Sequence, residues 1–279
     1  MDLSKNKEQK LVNCKEYVKI EKELLSKEIQ SFERNPKLCV IQIGDNAANN
    51  SYVKGKIKDC NEVGIECEHI HIIDYENFSQ GDLLELIMNK NFDYSVDGII
   101  VQLPVPDKYD VDMICNTIIK EKDADGFRKD SLFVPCTPKG VIDYLEYNDI
   151  KLTGKVCTVI GRSNIVGKPL VNLLIEKGAT VISCNSKTKD IKNFTKQSDI
   201  VISAIGKANY FNKSYFVDGQ VLIDVGINRD ENGKLCGDIC EEVKENMLLA
   251  TPVPGGVGLL TRLKLLENTV EAYKSKGEM

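Results

Sequence analysis

The sequence contains no apolar run long enough to span a membrane. It also lacks an apolar signal core, because the first ten residues, MDLSKNKEQK, lead into a charged and amphipathic stretch. Neither a membrane span nor secretion is expected from these features. We therefore expect the chain to reside in the cytoplasm.

An excess of positive charge is also missing. The 279 residues include 37 Lys and Arg against 42 Asp and Glu, which gives a formal net charge of -5. This balance gives no general attraction to nucleic acid. Any phosphate must therefore be bound by a local site.

Cysteine is frequent, but paired cysteine motifs are absent. The ten cysteines are scattered through apparent strands and helices, with no CxxC pair and no spacing typical of a small disulfide scaffold. We expect most of them to be reduced, buried packing residues. Cys60, Cys67, His69 and His71 match no closed zinc pattern. The HIH alternation instead predicts two histidines on one face of a strand, and no metal is expected.

Apolar runs alternate with helical patterns along almost the whole chain, which predicts an α/β fold with mainly parallel strands. The length favours two domains. The first half is predicted to contain a long amphipathic helix from about Lys7 to Phe32, the strand LCVIQIG, a helix with Tyr52, the strand CEHIHII, a helix opened by the capping pair Ser79 and Asp82, and the strand GIIVQL.

The stretch from Pro104 to Pro138 is rich in proline, glycine and aspartate, which indicates a cleft-forming connection rather than a core element. A second α/β unit follows, with predicted strands KVCTVIG, TVISCN, DIVISAIG and VLIDVGIN and a hairpin turn at Asn232-Gly233. A glycine-rich hinge, TPVPGGVG, precedes the last helix, LLTRLKLLENTVEAYK. We expect this helix to leave the second domain and to pack on the first.

Tyr52 and Lys56 lie four residues apart in SYVKGKIKDCNEVG. This spacing puts an aromatic ring and an amine on one helical face, where both can contact a single small molecule. The same spacing is also typical of a solvated helix surface on which the lysine stem covers apolar atoms. The pair gains weight from three segments that follow it in order, DGIIVQLPVP, KDADGF and VIGRSNIVGKP.

The strand KVCTVIG runs into GRSNIVGKPL, which predicts a glycine turn at a helix N-terminus. Backbone amides around Gly161 and Gly167 would suit a pyrophosphate. Ser163 stands where the GxGxxG pattern has its second glycine, so an ordinary strand-to-helix turn is the alternative. NAD enzymes carry an acidic residue about twenty positions later, whereas this chain has CNSK at 184–187. Together with Arg162, this favours the 2′-phosphate of NADP.

Over essentially its whole length, the chain resembles the bifunctional methylenetetrahydrofolate dehydrogenase/methenyltetrahydrofolate cyclohydrolase family. The resemblance implies a homodimer, a cleft between two α/β domains, and a role in one-carbon metabolism and purine biosynthesis. It implies a folate-binding catalytic domain of residues 1–123 plus 253–279 and a Rossmann-like NADP-binding domain of residues 124–252. The ligase fused to some relatives is not expected, because no GxxxxGK[ST] loop is present. The segments that carry the resemblance are Tyr52 to Gly64, DGIIVQLPVP, KDADGF, PCTPKG, GRSNIVGKP, SKT at 186–188 and TPVPGGVG.

The resemblance also implies residue roles. Lys56 resembles the catalytic lysine and Tyr52 a folate-contacting tyrosine, while Gln102 resembles the glutamine beside that lysine and Asp125 the carboxylate that binds the pterin. Water addition to the methenyl cation requires proton transfer, for which Lys56 is the candidate, whereas hydride transfer mainly requires alignment of two rings. In isolation, Gln102 could simply end a buried strand, and Asp125 could be a turn aspartate. The implied folate site comprises Tyr52, Lys56, Gln102, Leu103, Asp125, Pro254, Gly255 and Gly256, and the implied NADP site comprises Gly161, Arg162, Ser163, Ile165, Gly167, Ser186 and Ile227.

Four departures from the family pattern leave these candidates in place. Asn49 replaces a serine, Asn185 replaces a histidine, Leu259 and Leu260 replace Pro-Met, and segment 127–134 is shorter than the family loop. We expect activity to survive with changed folate affinity or dimer contacts. The alternative functions are a dehydrogenase without cyclohydrolase activity and a non-catalytic folate- or NADP-sensing module.

Overall fold

The computed structural model describes residues 12 to 277, which form two parallel β-sheets with helices packed around them. This arrangement confirms the α/β class and the mainly parallel strands expected from the sequence. None of the helices in this part of the chain is long and apolar enough to cross a membrane.

The first sheet has three strands in the order β2-β1-β3, all parallel. Its central strand is buried from Leu38 to Ile43, as expected where both faces of a parallel sheet are covered. The elements of this half are α1 (Cys14–Ile29), β1 (Lys37–Ile43), α2 (Ala47–Val63), β2 (Glu66–Ile72), α3 (Gln80–Phe92), β3 (Gly98–Val101) and α4 (Val111–Thr117).

The second sheet has five parallel strands in the order β10-β7-β6-β4-β5. The chain passes from β4 to one neighbour and then to the other, so the carboxyl end of β4 is a topological switch point, where open α/β sheets bind ligands. The elements are α5 (Cys136–Tyr147), β4 (Val156–Ile160), α6 (Gly167–Glu176), β5 (Thr180–Cys184), α7 (Ile191–Lys196), β6 (Ile200–Ser203), β7 (Val221–Asp224), β8 (Asn228–Arg229), β9 (Leu235–Cys236), β10 (Leu249–Ala250) and α8 (Val257–Gly277), with short 3-10 helices at Lys213–Tyr215 and Glu241–Asn246.

The expected capping box, hairpin turn and histidine pair are confirmed. Ser79 and Asp82 form a reciprocal capping box at the start of α3. Strands β8 and β9 form an antiparallel hairpin around the expected Asn-Gly turn, where Gly233 has a φ of 77°. His69 and His71 lie on one face of β2, with ring centroids 5.4 Å apart. Within residues 12 to 277, no group of three or more His, Cys, Asp or Glu side chains is arranged to hold a metal ion.

Helix α1 is shorter than the pattern from about Lys7 to Phe32 predicts. It begins at Cys14, because the extended Asn13 caps it and accepts a hydrogen bond from the Glu16 amide at 3.0 Å. The helix ends at Ile29, and positions 7 to 11 lie outside the described residues.

The connection from Pro104 to Pro138 is more ordered than expected. Helix α4 lies within it, and Ile114 of α4 is fully buried against α3. Helix α5 begins at Cys136, so the motif PCTPKG opens a helix that packs in the core. The expectation of a connection without core elements is therefore wrong, because its apolar residues are too few to reveal a helix by periodicity.

The last helix, α8, packs against α5, α1 and α2. Leu260 and Leu263 belong to the core beneath the five-stranded sheet, whereas Leu265 and Leu266 belong to the core beneath the three-stranded sheet. One helix thus contributes to both cores. The division of the chain at 123/124 and 252/253 stays a prediction.

Candidate active site

Helix α2 carries the tyrosine and lysine singled out by their spacing. The helix begins directly after β1, where the Asn46 side chain accepts hydrogen bonds from the amides of Ala48 and Asn49 at 2.8 and 3.3 Å. Lys56 is only 3% exposed, and its Nζ lies 5.4 Å from the centroid of the Tyr52 ring. The pair is therefore not a solvated helix surface.

Asp125 lies next to this lysine. Its Oδ1 is 3.9 Å from Lys56 Nζ, and Asp125 is 8% exposed. Burial raises the pKa of the Asp125 carboxyl above its ordinary value, and the nearby Lys56 cation opposes this rise. Burial also raises the pKa of Tyr52 to about 12, so this phenol stays protonated. The structure brings Tyr52, Lys56 and Asp125 together, as their predicted roles require.

Gln102 follows β3 and is 7% exposed. Its backbone amide donates to the Ile41 carbonyl at 2.8 Å, and its Nε2 donates to the Leu103 carbonyl at 2.6 Å. Its Oε1 is buried without a hydrogen-bond partner among residues 12 to 277. A buried acceptor without a partner costs free energy, which a bound ligand could recover.

Two further residues hold the loop of Asp125, and neither was assigned a role from the sequence. Asp123 accepts hydrogen bonds from the amides of Phe127 and Arg128 at 3.3 and 2.8 Å. Asn268 of α8 donates to the Ala124 carbonyl at 2.9 Å. The KDADGF motif contained a signal for Asp123, but nothing in the sequence relates Asn268 to a loop so distant along the chain.

A cavity of about 580 Å³ opens between the two sheets beside these residues. It is bounded by the N-terminal part of α2, the end of β3, the segment after β7 and the start of α8. Lys56 and Asp125 are not part of its lining, and Lys56 approaches it beside Tyr52. The predicted site residues on its wall are Tyr52, Gln102, Leu103, Ile227, Pro254, Gly255 and Gly256.

The turn after β4 has the close packing that a dinucleotide turn requires. Gly161 has a φ of 120°, and a Cβ there would overlap the Ala204 carbonyl oxygen. A Cβ at Gly167 would overlap the Gly161 carbonyl oxygen. Only glycine fits either place, so the chain turns tightly from β4 into α6 at the switch point. This turn therefore fits the pyrophosphate of NADP.

Ser163 occupies the place of the missing second glycine and caps α6. Its Oγ accepts hydrogen bonds from the amides of Val166 and Gly167 at 3.2 and 3.3 Å. Ile165 is exposed in the same turn, and Ile227 is exposed on the wall of the cavity. Apolar side chains exposed in this way could contact the rings of a cofactor.

Arg162 lies over the end of β5. Its Nε donates to Ser183 Oγ at 3.1 Å, and its Nη2 donates to the Ser183 carbonyl at 2.5 Å. The exposed Ser186 and Lys187 follow in the turn after β5. Arg162, Ser186 and Lys187 thus place two cations and a hydroxyl group where the 2′-phosphate of the ribose would be expected. Ser183 was not found from the sequence, because its role depends on strand pairing.

Two buried aspartates support the segment that carries Ile227. Asp238 Oδ2 accepts hydrogen bonds from Ser203 Oγ and the Ile205 amide, both at 2.8 Å. Asp224 Oδ1 accepts from the Asp238 amide at 2.9 Å, and burial raises the pKa of Asp224. Neither was predicted as a site residue, although Asp224 lines the cavity.

The unusual residues have local partners. Asn49 Nδ2 donates to the Pro104 carbonyl at 2.9 Å, and Asn185 accepts from the Lys187 amide at 3.1 Å. Leu260 is fully buried, whereas Leu259 lines the cavity. The effect of these residues on folate affinity stays a prediction.

Two family models match the chain. The catalytic domain of tetrahydrofolate dehydrogenase/cyclohydrolase matches residues 12–125, and the NAD(P)-binding domain of the same family matches residues 135–277. A protein named bifunctional protein FolD from Lysinibacillus sphaericus is 46% identical over 251 residues, which are 86% of this chain and 88% of that protein.

Solved structures of this family also superpose closely on the chain. The bifunctional FolD dehydrogenase/cyclohydrolase from Campylobacter jejuni superposes with a TM-score of 0.90 at 43% identity, covering 95% of this chain and 98% of that one. The Trypanosoma brucei FolD, solved with NADP and an inhibitor, superposes with a TM-score of 0.89 at 29% identity, covering 96% and 98% of the two chains. The resemblance expected from the sequence motifs is confirmed, and the chain belongs to the tetrahydrofolate dehydrogenase/cyclohydrolase family.

Proposed function

We propose that this protein oxidises 5,10-methylenetetrahydrofolate with NADP and hydrolyses the resulting 5,10-methenyl form to 10-formyltetrahydrofolate. The observation that carries the proposal is the buried contact of Lys56 with Asp125 beside Tyr52, whose ring lines a cavity between the two sheets. Family membership and the NADP complex of the Trypanosoma brucei relative support both activities and the cofactor.

Folate binding is assigned to the side chains around the lysine. The Asp125 carboxylate would accept hydrogen bonds from the amino and ring N–H groups of the pterin, and such charge-assisted bonds are strong. The Tyr52 ring would contact the substrate, while the unpaired Oε1 of Gln102 would accept a hydrogen bond from the Lys56 amine or from the folate. Leu103, Pro254, Gly255 and Gly256 would complete the folate-binding wall.

Lys56 is the proposed proton-transfer group of the hydrolysis. Addition of water to the methenyl carbon releases a proton, and opening of the ring requires one at nitrogen. The hydride transfer releases no such proton and depends on alignment of the substrate by Tyr52 and Asp125. When bound, NADP supplies the hydride acceptor.

The cofactor is assigned to the turn after β4 and its neighbours. The backbone of the turn from Gly161 to Gly167 would bind the pyrophosphate at the N-terminus of α6, with Ser163 holding the turn. Arg162 and Ser186 would bind the 2′-phosphate. Ile165 and Ile227 would contact the rings of the cofactor.

We also propose a homodimer in the cytoplasm that supplies 10-formyltetrahydrofolate for purine biosynthesis. Family resemblance supports this proposal. The proposed folate domain comprises 1–123 plus 253–279, supported by the packing of α8 on α1 and α2, and the NADP domain comprises 124–252. Light scattering after size-exclusion chromatography tests the dimer, because a mass near 31.2 kDa would indicate a monomer.

Two separate assays test the activities. The purified protein is given methylenetetrahydrofolate with NADP or with NAD, and NADPH or NADH formation is followed. Decay of the methenyl compound above its spontaneous hydrolysis is measured in the absence of cofactor. Both reactions are expected, with NADP preferred. Dehydrogenase activity alone would reduce the function to the first reaction, and folate and NADP binding without turnover would indicate a sensing module.

A further inference from the structure

Two cysteines lie against each other where α2 meets β2. Cys60 is in the last turn of α2 and is fully buried, whereas Cys67 is in β2 and is partly exposed. The turn between them is tight, because the amides of Gly64 and Ile65 both donate to the Cys60 carbonyl, at 3.0 and 2.9 Å. Both side chains belong to the apolar core beneath the three-stranded sheet, and both thiols are free.

Strand β2 turns Cys67 toward α2. Alternate residues of a strand point to the same face, so Cys67 and His69 share one side of β2. His69 Nε2 lies 3.1 Å from Gln42 Oε1, and Gln42 Nε2 donates to Asn50 Oδ1 of α2 at 2.5 Å. The side of β2 that carries Cys67 is therefore the side on which α2 packs.

Cys67 is the more acidic thiol of the two. A hydrogen bond from the Cys60 thiol lowers the pKa of Cys67, and the nearby Lys56 cation lowers it further against the opposing effect of burial. In the eight cysteines outside this pair, burial raises the pKa of the thiol. Cys67 is also partly exposed. It is therefore a thiol that can ionise and that a small oxidant can reach.

We propose that Cys60 and Cys67 are a redox-active pair that a peroxide converts reversibly into a disulfide. The Cys67 thiolate attacks one oxygen of hydrogen peroxide, the O–O bond breaks, and Cys67 becomes a sulfenic acid while hydroxide leaves. The Cys60 sulfur then attacks the Cys67 sulfur, the S–O bond breaks, and the Cys60 proton leaves with that oxygen as water. Two electrons thus pass from the thiols to the peroxide, and dithiothreitol returns them to the protein.

The disulfide would join α2 to β2 one helical turn beyond Lys56, which shares a face of α2 with Cys60. Bonded sulfurs lie closer together than two unbonded thiols, so the end of α2 and β2 must approach each other when the bond forms. The proposed hydrolysis depends on Lys56, whose Nζ lies 3.9 Å from Asp125 Oδ1. Oxidation is therefore expected to slow methenyl hydrolysis, a consequence that rests on the proposed function.

Peptide mass spectrometry of the unaltered protein tests the pair. The tryptic peptide of residues 59–90 holds both cysteines, because no Lys or Arg lies between Lys58 and Lys90. The reduced protein is treated with hydrogen peroxide, and its remaining thiols are alkylated. This peptide should become lighter by about 2 Da, the loss of two hydrogens, and should escape alkylation until dithiothreitol is added. Alkylation of both cysteines, or a sulfinic acid at Cys67 without the link, would overturn the proposal.

Three variants test the order of the two steps. Cys60→Ala removes the second thiol, so Cys67 should stop at the sulfenic acid and be labelled by dimedone. Cys67→Ser should leave Cys60 unoxidised at the same peroxide dose, because Cys60 is buried and its pKa is raised. Cys236→Ser is the matched control, since Cys236 is partly exposed with a raised pKa, and this variant should form the link normally. Dimedone labelling of Cys60 in Cys67→Ser would overturn the assigned order.

Methenyl hydrolysis is measured on the reduced, oxidised and re-reduced samples. The rate should fall in proportion to the linked fraction and return with dithiothreitol, whereas Cys67→Ser should keep its rate after peroxide. An unchanged rate in linked protein would overturn the effect on Lys56. A reduced protein without hydrolysis would refute the proposed function instead, and the peptide mass would still decide whether the two cysteines form the disulfide.

Discussion

Replacement of Lys56 by methionine separates the two proposed reactions. Lys56 is 3% exposed, and methionine keeps an unbranched apolar stem that can fill the same space. Hydrolysis of the methenyl compound loses its proton-transfer group, so its rate should fall by about 10² to 10⁴-fold. Hydride transfer needs no such group, and dehydrogenase activity should remain measurable.

The same change should weaken folate binding in the remaining reaction. Lys56 Nζ lies 3.9 Å from Asp125 Oδ1, and at an effective dielectric of about 20 their attraction is about 4 kcal/mol. Without the cation, burial and the nearby Asp123 charge act on the Asp125 carboxyl unopposed, and its pKa rises further above the ordinary value. A larger fraction of the protein would then lack the carboxylate that binds the pterin. The expected result is a higher folate KM in the dehydrogenase assay.

Both reactions are measured on the same preparations, with circular dichroism as a check of folding. Lys54→Met is the matched control, because Lys54 is exposed on the same helix and should leave both reactions unchanged. Lys56→Arg keeps a cation near Asp125 and should restore folate KM but not hydrolysis, since arginine does not release its proton. Methenyl hydrolysis by Lys56→Met at the unaltered rate would refute Lys56 as the proton-transfer group.

Three further changes test the other parts of the site. Burial raises the pKa of Asp125 above 3.8, so acidification should raise the folate KM with a midpoint above that value. Asp125→Asn should abolish this pH dependence. A pH-independent folate KM in the unaltered protein would contradict the role of Asp125. Arg162→Ala should weaken NADP binding about tenfold and NAD binding little, because charge-assisted hydrogen bonds to the 2′-phosphate are lost. Titrations with both cofactors measure this difference. Equal losses of affinity for the two cofactors would assign Arg162 to the turn alone. Gly167→Ala should lower the free energy of unfolding in urea by roughly 1 to 3 kcal/mol, because the alanine Cβ would overlap the Gly161 carbonyl. An unchanged urea midpoint would show that the turn relaxes freely.

Local sequence was sufficient where neighbours along the chain decide the structure. The capping box of Ser79 and Asp82 and the paired faces of β2 involve residues within a few positions of one another. Tyr52 and Lys56 likewise needed only the helical period to be placed on one face. Periodicity was misleading at the start of α1, where Asn13 caps the helix later than the amphipathic pattern predicts. It was silent for α4, which is a single short helix of seven residues.

The sequence by itself determined the order of the α/β elements, the family and the residue types that the chemistry needs. Only the tertiary structure decided that Lys56 and Asp125 lie 3.9 Å apart, that both are buried, and that Asn268 holds the loop of Asp125. The same holds for the Asp59 carboxylate, which pairs with Lys22 of α1 and with Arg262 of α8. Spacing along a chain sets angles within one helix or strand, whereas burial, charge pairing and pKa depend on how distant elements pack, and no local pattern specifies that packing.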